Sequence, residues 1–197
     1  MAWNYVITTA YNALTLAQQT ENAYEFQDYF DGYMRLEAMA GILGNIMYES
    51  GLNPGQQEHG WNGSTSYGYG LIQWTPGTVI INWTAGLGLN WYDGAAQCYR
   101  IQCEGEGTQG AGGTWLPTSA YPYSWSQYCQ LLNVDEATKA YFYERERGTW
   151  NIQRLDWANY WFEVITGHTP TPPDPPTPSS DNRIVILMKK KKREGLY

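Results

Sequence analysis

Glu49 is the side chain of this sequence that is best placed for acid–base chemistry. It follows a run of apolar residues with the spacing of a helix that has one buried face: Leu36, Met39, Leu43, Ile46 and Met47. Gly51 and Pro54 come next and predict that this helix, expected over residues 33–50, ends just after Glu49. The negative end of the helix dipole and apolar neighbours both favour the protonated form of a carboxyl. Such a group can serve as a general acid, whereas an ordinary glutamate at a helix end is a solvated surface residue.

Residues 68–74 (GYGLIQW) contain a second set of groups that could bind a ligand. Glycines such as Gly70 allow a backbone to approach a ligand closely. Tyr69 and Trp74 have flat faces that suit sugar rings, and the amide of Gln73 can both donate and accept hydrogen bonds. Trp74 is equally consistent with a buried packing role. The two segments together predict an acid beside a saccharide-binding surface.

The motifs ESGLNP at residues 49–54 and GYGLIQWT at residues 68–75 resemble the phage tail lysozyme family, which is related to lysozymes and lytic transglycosylases. The resemblance extends over residues 30–166. It implies a mainly α (α+β) lysozyme-like fold, in which helices surround a cleft with a small irregular or hairpin wing. It also implies bacterial peptidoglycan as the substrate and the phage tail of a virion as the location.

By this resemblance, Glu49 is the catalytic acid that protonates the glycosidic oxygen between two peptidoglycan sugars. Gln73 would hydrogen-bond the substrate or orient the acid. The remaining substrate-binding residues of this segment would be Tyr69, Gly70 and Trp74.

A third match lies at residues 141–145 (YFYER), which resembles a segment of the family near the cleft. Tyr143 is the candidate there for positioning the acid or an N-acetyl group of the substrate. Its neighbour Glu144 is more simply interpreted as the partner of Arg147 on a helix face.

A second catalytic carboxylate is not fixed by the sequence. Glu58 lies in the loop expected to face Glu49 and is a candidate for substrate binding, although the resemblance carries no role over to it. A single glutamate suits a hydrolase that activates water, or a lytic transglycosylase whose product has a 1,6-anhydro end. A third interpretation is a catalytically inactive tail module that is structural or binds saccharide.

The composition limits the other functional classes. Ten Trp and seventeen Tyr favour an exposed aromatic surface in addition to a core. Residues 1–180 hold six Lys and Arg against seventeen Asp and Glu, a net charge of −11, which argues against nucleic-acid binding. The three cysteines and two histidines lack the spacing of a zinc site or of Cys/His catalysis, so we expect no metal or cofactor. One disulfide between Cys129 and either Cys98 or Cys103 stays open.

Three segments are expected along the chain: a catalytic domain at residues 1–167, a Pro-rich linker at 168–180 and a basic tail at 181–197. The tail is either disordered or a docking peptide that pairs with another phage tail protein. The N-terminus lacks the pattern of a signal peptide, and no apolar run is long enough for a membrane span. We therefore expect synthesis in the host cytoplasm and transport to the wall within the virion.

Further helices are predicted from apolar periodicity and capping residues. Asp135 is the expected N-cap of one of them. Two Gly-rich stretches, residues 51–70 and 105–124, are predicted as loops, the second on the surface. The further helices are expected at residues 9–19, 22–30, 79–87, 95–103, 125–132, 135–147 and 150–166.

Overall fold

The structure, a computed structural model, describes residues 2–111 and 114–176. The basic tail predicted at residues 181–197 lies outside them, as does the end of the predicted linker. Residues 168–176 contain no helix or strand, and the segment boundaries stay a prediction. The helices, in chain order, are α1 (Leu16–Phe30), α2 (Leu36–Ser50), α3 (Thr78–Gly86), α4 (Gly94–Glu106), α5 (Trp125–Tyr128), α6 (Val134–Tyr141), a π-helical turn (Phe142–Glu146) and α7 (Gln153–Ile165).

Helix α2, which carries Glu49, is the central element of the fold. Every residue from 38 to 48 is buried, so neighbouring elements surround this helix rather than cover one face. It ends as the sequence predicts, because Gly51 adopts the left-handed conformation (φ 61°, ψ 35°) and donates its N–H to the carbonyl of Met47. Glu49 therefore lies at the point where the buried helix reaches the surface.

Two glycines of α2 bring the backbones of neighbouring helices into direct contact with it. A Cβ atom at Gly41 would lie 2.8 Å from the backbone of Ala137 in α6. A Cβ atom at Gly44 would lie 2.3 Å from the carbonyl oxygen of Arg154 in α7 and 2.6 Å from the Cβ of Ala158. Helices α6 and α7 can pack this closely only because neither glycine has a side chain.

The N-terminal segment differs from the prediction of a helix at residues 9–19. Residues 2–15 form no helix, and α1 begins at Leu16 with Thr15 as its N-cap in a capping box with Gln18. The segment runs instead beside the loop after α2. There Asn53 exchanges hydrogen bonds with the backbone of Val6 at 2.7 and 3.0 Å, and the N–H of Thr8 donates to the carbonyl of Gly55.

That loop forms the irregular wing that the resemblance implied. Residues 51–77 contain no helix, and isolated β-bridges join Gln57 to Tyr69 and Tyr69 to Trp74. A third bridge joins Gln56 to Thr8 of the N-terminal segment. The wing is therefore built from two parts of the chain that are distant in sequence.

The second half of the chain shows two further departures from the prediction. The stretch 105–124 is not confined to the surface, because Trp115 is buried and its ring packs 5.0 Å from that of Trp125 and 4.8 Å from that of Tyr128. The cap of α6 is Asn133 rather than Asp135: its side chain accepts from the backbone N–H of Glu136 at 2.9 Å.

A buried carboxylate, Glu104 of α4, connects elements that are far apart in sequence. Its Oε1 accepts from Trp74 Nε1 and Arg100 Nε, both at 2.9 Å. Its Oε2 accepts from Arg145 Nη2 of the π-helical turn at 2.7 Å and from Thr114 Oγ1 at 3.3 Å. Two arginines offset the cost of burying this charge, and the segment 68–74 is thereby bonded to α4 and the π-helical turn.

Replacement of Gly44 by Ala is expected to destabilise the protein. The added methyl would overlap the α7 backbone, which cannot move without repacking α2, so we expect a loss of about 3 kcal/mol in the free energy of unfolding. Gly86→Ala is the matched control, because a Cβ at this helical glycine meets nothing within 4 Å. It should be neutral or stabilising by up to about 1 kcal/mol. Urea unfolding followed by tryptophan fluorescence measures both, and equal stabilities for the two variants would contradict the close helix contact.

Candidate active site

Glu49 is held at the end of α2 by an arginine from another helix. Its carboxylate Oε1 accepts a hydrogen bond from Arg154 Nη2, and the Glu49 side chain is 20% exposed while that of Arg154 is 4% exposed. Arg154 Nη1 donates to Asn45 Oδ1 at 3.0 Å, one helical turn before Glu49. Among the described residues, no donor is bonded to the other carboxylate oxygen, Oε2. One oxygen of the candidate acid is thus fixed, and the other is available to a ligand.

Two aromatic rings enclose the guanidinium of Arg154. Its Cζ lies 4.2 Å from the ring centroid of Tyr48 and 4.9 Å from that of Phe142, both within the range of a cation–π contact. The sequence analysis did not find Arg154. The available signal was that it is the only basic residue in the aromatic helix α7.

Tyr11, from the N-terminal segment, is a second neighbour that the sequence analysis missed. Burial above all, and then the negative charge of Glu49, raises the pKa of the Tyr11 hydroxyl to about 12. Glu58 raises this pKa as well, whereas the charge of Arg154 lowers it. The hydroxyl is therefore neutral at ordinary pH and within electrostatic reach of both carboxylates.

Gln73 and Gly70 form a tight turn in the wing. Gln73 Nε2 donates to the carbonyl of Gly70 at 2.9 Å, and the residue itself has a positive φ of 50°. A Cβ at Gly70 would lie 2.7 Å from Gln97 Oε1, which accepts from the backbone N–H of Leu71. The amide of Gln73 and the absence of a side chain at Gly70 therefore maintain this turn, and binding of substrate by either residue stays a prediction.

Tyr69 and Trp74 lie inside the protein, with exposures of 4% and 3%. The hydroxyl of Tyr69 accepts from Trp61 Nε1 at 2.7 Å, and its ring packs 5.0 Å from that of Trp91 in an edge contact. Trp74 donates to Glu104, as described above. In this structure neither ring offers a face to a sugar, and the packing interpretation of Trp74 agrees with its position.

Glu58 closes the loop between residues 58 and 68. Its Oε2 accepts from the backbone N–H of Gly68 at 2.7 Å, and its own N–H donates to the carbonyl of Gly68 at 2.9 Å. Its charge raises the pKa of the Tyr11 hydroxyl, as that of Glu49 does, and its position opposite Glu49 and its role in binding stay predictions.

Tyr143 is the exposed member of a group of stacked rings whose other members are half-buried. It is 40% exposed, and its ring lies 5.5 Å from Tyr121 and 6.2 Å from Trp150, at interplanar angles of 7° and 18°. Phe142, which packs on Arg154, contacts Tyr143 at 5.0 Å and Trp150 at 5.3 Å. We call Tyr121, Tyr143 and Trp150 the aromatic stack.

The aromatic stack also connects to α2 through the residue after Trp150. Asn151 Nδ2 donates to the hydroxyl of Tyr48 at 3.3 Å. Since Tyr48 and Phe142 enclose Arg154, the stack borders the Glu49–Arg154 pair on the side of the π-helical turn. Of its three rings, only Tyr143 was a candidate from the sequence.

Comparison with known proteins identifies the family of the chain. A family model described as phage tail lysozyme matches residues 11–165, most of the chain. The chain belongs to the phage tail lysozyme family. Its helical architecture is accordingly a lysozyme-like fold, as the resemblance implied.

A curated relative is morphogenesis protein 1 of Bacillus phage B103, to which the chain is 30% identical over 157 residues. The match covers 78% of this chain and 42% of that protein, so the chain spans less than half of the relative's length.

No described helix has the length and apolar character needed to cross a bilayer. The three cysteines, Cys98, Cys103 and Cys129, are buried and unbridged.

Glu144 does not pair with Arg147 in the way the sequence suggested. Arg147 Nη2 donates to the backbone carbonyl of Glu144 at 2.9 Å, while the Glu144 carboxyl is buried and its Oε1 accepts from the N–H of Tyr123 at 3.3 Å. Burial raises the pKa of Glu144 to about 7, although hydrogen bonds from the backbone of residues 123 and 118 oppose the shift. This carboxyl bonds the π-helical turn to the stretch that carries Tyr121.

Glu144→Gln is expected to change the pH dependence of stability. The folded state holds the proton of Glu144 up to a pKa of about 7, against 4.5 for an ordinary glutamate, so the wild type loses stability as pH rises between these values. Glutamine can accept the same bond from Tyr123 and carries no charge. We expect the variant to be about 1–2 kcal/mol more stable than wild type at pH 8 and nearly equal at pH 4. Urea midpoints at the two pH values measure this, and a constant difference between the proteins would rule out the titration.

Proposed function

We propose that the chain is a glycosidase that cleaves the glycan strand of peptidoglycan, with Glu49 as the general acid. The observation that carries the proposal is the environment of Glu49 in a phage tail lysozyme: a partly exposed carboxyl at the end of a buried helix, fixed by Arg154 through one oxygen. The free oxygen Oε2 is the atom that would give its proton to the glycosidic oxygen. The bond from the sugar C1 to that oxygen then breaks, leaving an oxocarbenium-like centre.

The second step requires a nucleophile at C1, and Glu49, now ionised, would take the proton from it. With water as the nucleophile the reaction is hydrolysis, and with the 6-hydroxyl of the same sugar it is lytic transglycosylation. We propose hydrolysis, because the family to which the chain belongs is a lysozyme family. The charges of Glu58 and Glu49 both raise the pKa of the Tyr11 hydroxyl. Glu58 is therefore our candidate to bind or orient the sugar or the water.

The aromatic stack is the surface that we propose for the saccharide. Tyr143 presents an exposed ring and contacts Phe142, which packs on Arg154, and sugar rings pack their apolar faces on such rings. Tyr69 and Trp74 would act indirectly in this scheme, since their buried rings hold the segment of Gly70 and Gln73 in place. The side-chain oxygen Oε1 of Gln73 would accept a hydrogen bond from the substrate, while its Nε2 maintains the turn by donating to Gly70.

The place of action that we propose is the bacterial cell wall, with the protein carried there by the virion during host entry. The family name and the morphogenesis protein of phage B103 support a virion component. Other phage tail proteins would be its partners there, as predicted for residues 181–197.

A binding module without activity is the second candidate. The aromatic stack with its exposed Tyr143 would serve binding alone, and the second carboxylate, Glu58, accepts a hydrogen bond from the backbone of Gly68. The two functions differ in one observable, the release of sugar fragments.

Glu49→Gln is expected to abolish release of fragments from purified peptidoglycan, a loss of at least about 10³-fold, because glutamine cannot donate the proton. Mass spectrometry of the fragments measures activity and identifies the reaction, since a 1,6-anhydro end is lighter than a hydrolysed end by one water. Circular dichroism and retained binding to peptidoglycan show that the variant is folded. A fully active Glu49→Gln protein would refute the assignment, and a wild type that binds without releasing fragments would favour the binding module.

Tyr143→Ala is expected to weaken binding of substrate more than it slows the reaction. Loss of the exposed ring should raise KM by about 3- to 10-fold with a smaller change in kcat. Tyr5→Ala is the control, because Tyr5 is also an exposed stacked tyrosine, 49% exposed and 4.7 Å from the ring of Tyr92. It should leave KM unchanged. Equal effects of the two substitutions on KM would show that the aromatic stack is not part of the binding surface.

A further inference from the structure

Arg154 is a buried cation in contact with the candidate acid, and nothing in the sequence motifs gives it a role. We infer that Arg154 is a positioning residue: it fixes the orientation of Glu49 and stabilises the ionised carboxylate that is left after the proton is donated. The inference rests on the glycosidase function proposed above.

A chain of hydrogen bonds fixes the orientation of Arg154. Asn45 donates through Nδ2 to the carbonyls of Gly41, at 2.8 Å, and Thr138, at 3.1 Å. These bonds leave Oδ1 of Asn45 pointing at Arg154, whose Nη1 donates to it at 3.0 Å. The other nitrogen, Nη2, is thereby aimed at Oε1 of Glu49. The planar, fixed fork of a guanidinium can satisfy both partners at once, which a lysine ammonium does with less precision.

The surroundings strengthen the charge interaction. Arg154 is 3% exposed, and the rings of Tyr48 and Phe142 enclose its guanidinium. Where water is excluded, opposite charges interact more strongly than at a solvated surface. A salt bridge in this position is therefore screened less by solvent than an exposed pair would be.

Among residues 2–111 and 114–176, the other ionisable groups near Glu49 do not supply a positive charge. Tyr48 lies on the same helix, Tyr11 comes from the N-terminal segment, Glu58 from the wing and Tyr141 from α6. Tyr11 and Tyr141 are neutral at ordinary pH because burial raises the pKa of each hydroxyl, and Glu58 contributes no positive charge. Within this group, Arg154 is the positively charged partner of the Glu49 carboxylate.

The two oxygens of Glu49 have different roles, and this explains how one glutamate can first donate a proton to the glycosidic oxygen and then accept one from the nucleophile. The bond from Arg154 occupies Oε1, so the proton to be donated is carried by Oε2. After donation, the negative charge is shared with the oxygen that Arg154 holds. The ionised carboxylate is thus stabilised in the form that must next accept a proton from the nucleophile.

The test is the pH profile of kcat/KM for Arg154→Met and Arg154→Lys, measured with solubilised peptidoglycan fragments. The activity of a general acid falls at high pH as the acid ionises. Arg154→Met removes the positive charge beside the carboxylate, so this falling limb should move to higher pH, with at least about a tenfold lower maximum. Arg154→Lys keeps the charge, so its limb should stay near that of wild type while kcat decreases.

Arg100→Met is the control, because Arg100 and Glu104 form another buried pair on α4, with Nε and Oε1 2.9 Å apart. Loss of this pair should lower stability and leave the falling limb where it is. A purely structural role for Arg154 predicts the same behaviour for Arg154→Met, and an unshifted limb in that variant would overturn the inference. If Arg154→Met does not fold, Arg154→Gln replaces it. Failure of both neutral variants to fold, with Arg154→Lys folded, would also overturn it, because the arginine would then be needed for the fold.

The Glu49→Gln variant separates the two proposals. If it is inactive while the limb is unshifted, only the role of Arg154 fails. If it is active, the proposed function fails and the role of Arg154 fails with it.

Discussion

The contact between Gly44 of α2 and the backbone carbonyl of Arg154 in α7 is the constraint on which the arrangement of the site depends. It sets the distance between the two helices at one point, and the side chain of the same arginine extends from that point to Glu49. Because the guanidinium is buried, a small increase in helix separation would weaken its bonds to Asn45 and Glu49 together. The acid is thus positioned by backbone packing as much as by its own hydrogen bond.

The second half of the site depends on the π-helical turn that follows α6. Its first residue, Phe142, packs on Arg154, and the next, Tyr143, is exposed in the aromatic stack. Glu144 then turns inward and bonds the stretch that carries Tyr121. Three consecutive residues therefore contact the guanidinium, the solvent and the protein interior in turn. The wider winding of a π-helix, which often marks functional sites, allows these three directions.

The parts of the structure that could be predicted are those with local signals. The spacing of Leu36 to Met47 and the stop at Gly51 gave the helix of Glu49 and its end, because helix periodicity and C-caps are properties of neighbouring residues. Arg154 could not be found in this way, since it lies 105 residues from Glu49 along the chain and the packing of Gly44 decides their contact. Trp115 was assigned to the surface because the glycines and prolines around it outweighed one apolar ring. The start of α1 was missed although Thr15 and Gln18 have the spacing of a capping box, a signal that was available.

The buried carboxylate of Glu104 has a consequence for how the protein opens. It accepts hydrogen bonds from four segments of the chain: from Trp74 of the wing, Arg100 of α4, Thr114 of the stretch 105–124 and Arg145 of the π-helical turn. Local opening of any one of these segments would expose a charge whose remaining partners stay buried, so partial unfolding is disfavoured relative to opening of all four together. The wing and the π-helical turn should accordingly exchange their amide hydrogens as one cooperative unit, although they are formed by separate parts of the chain.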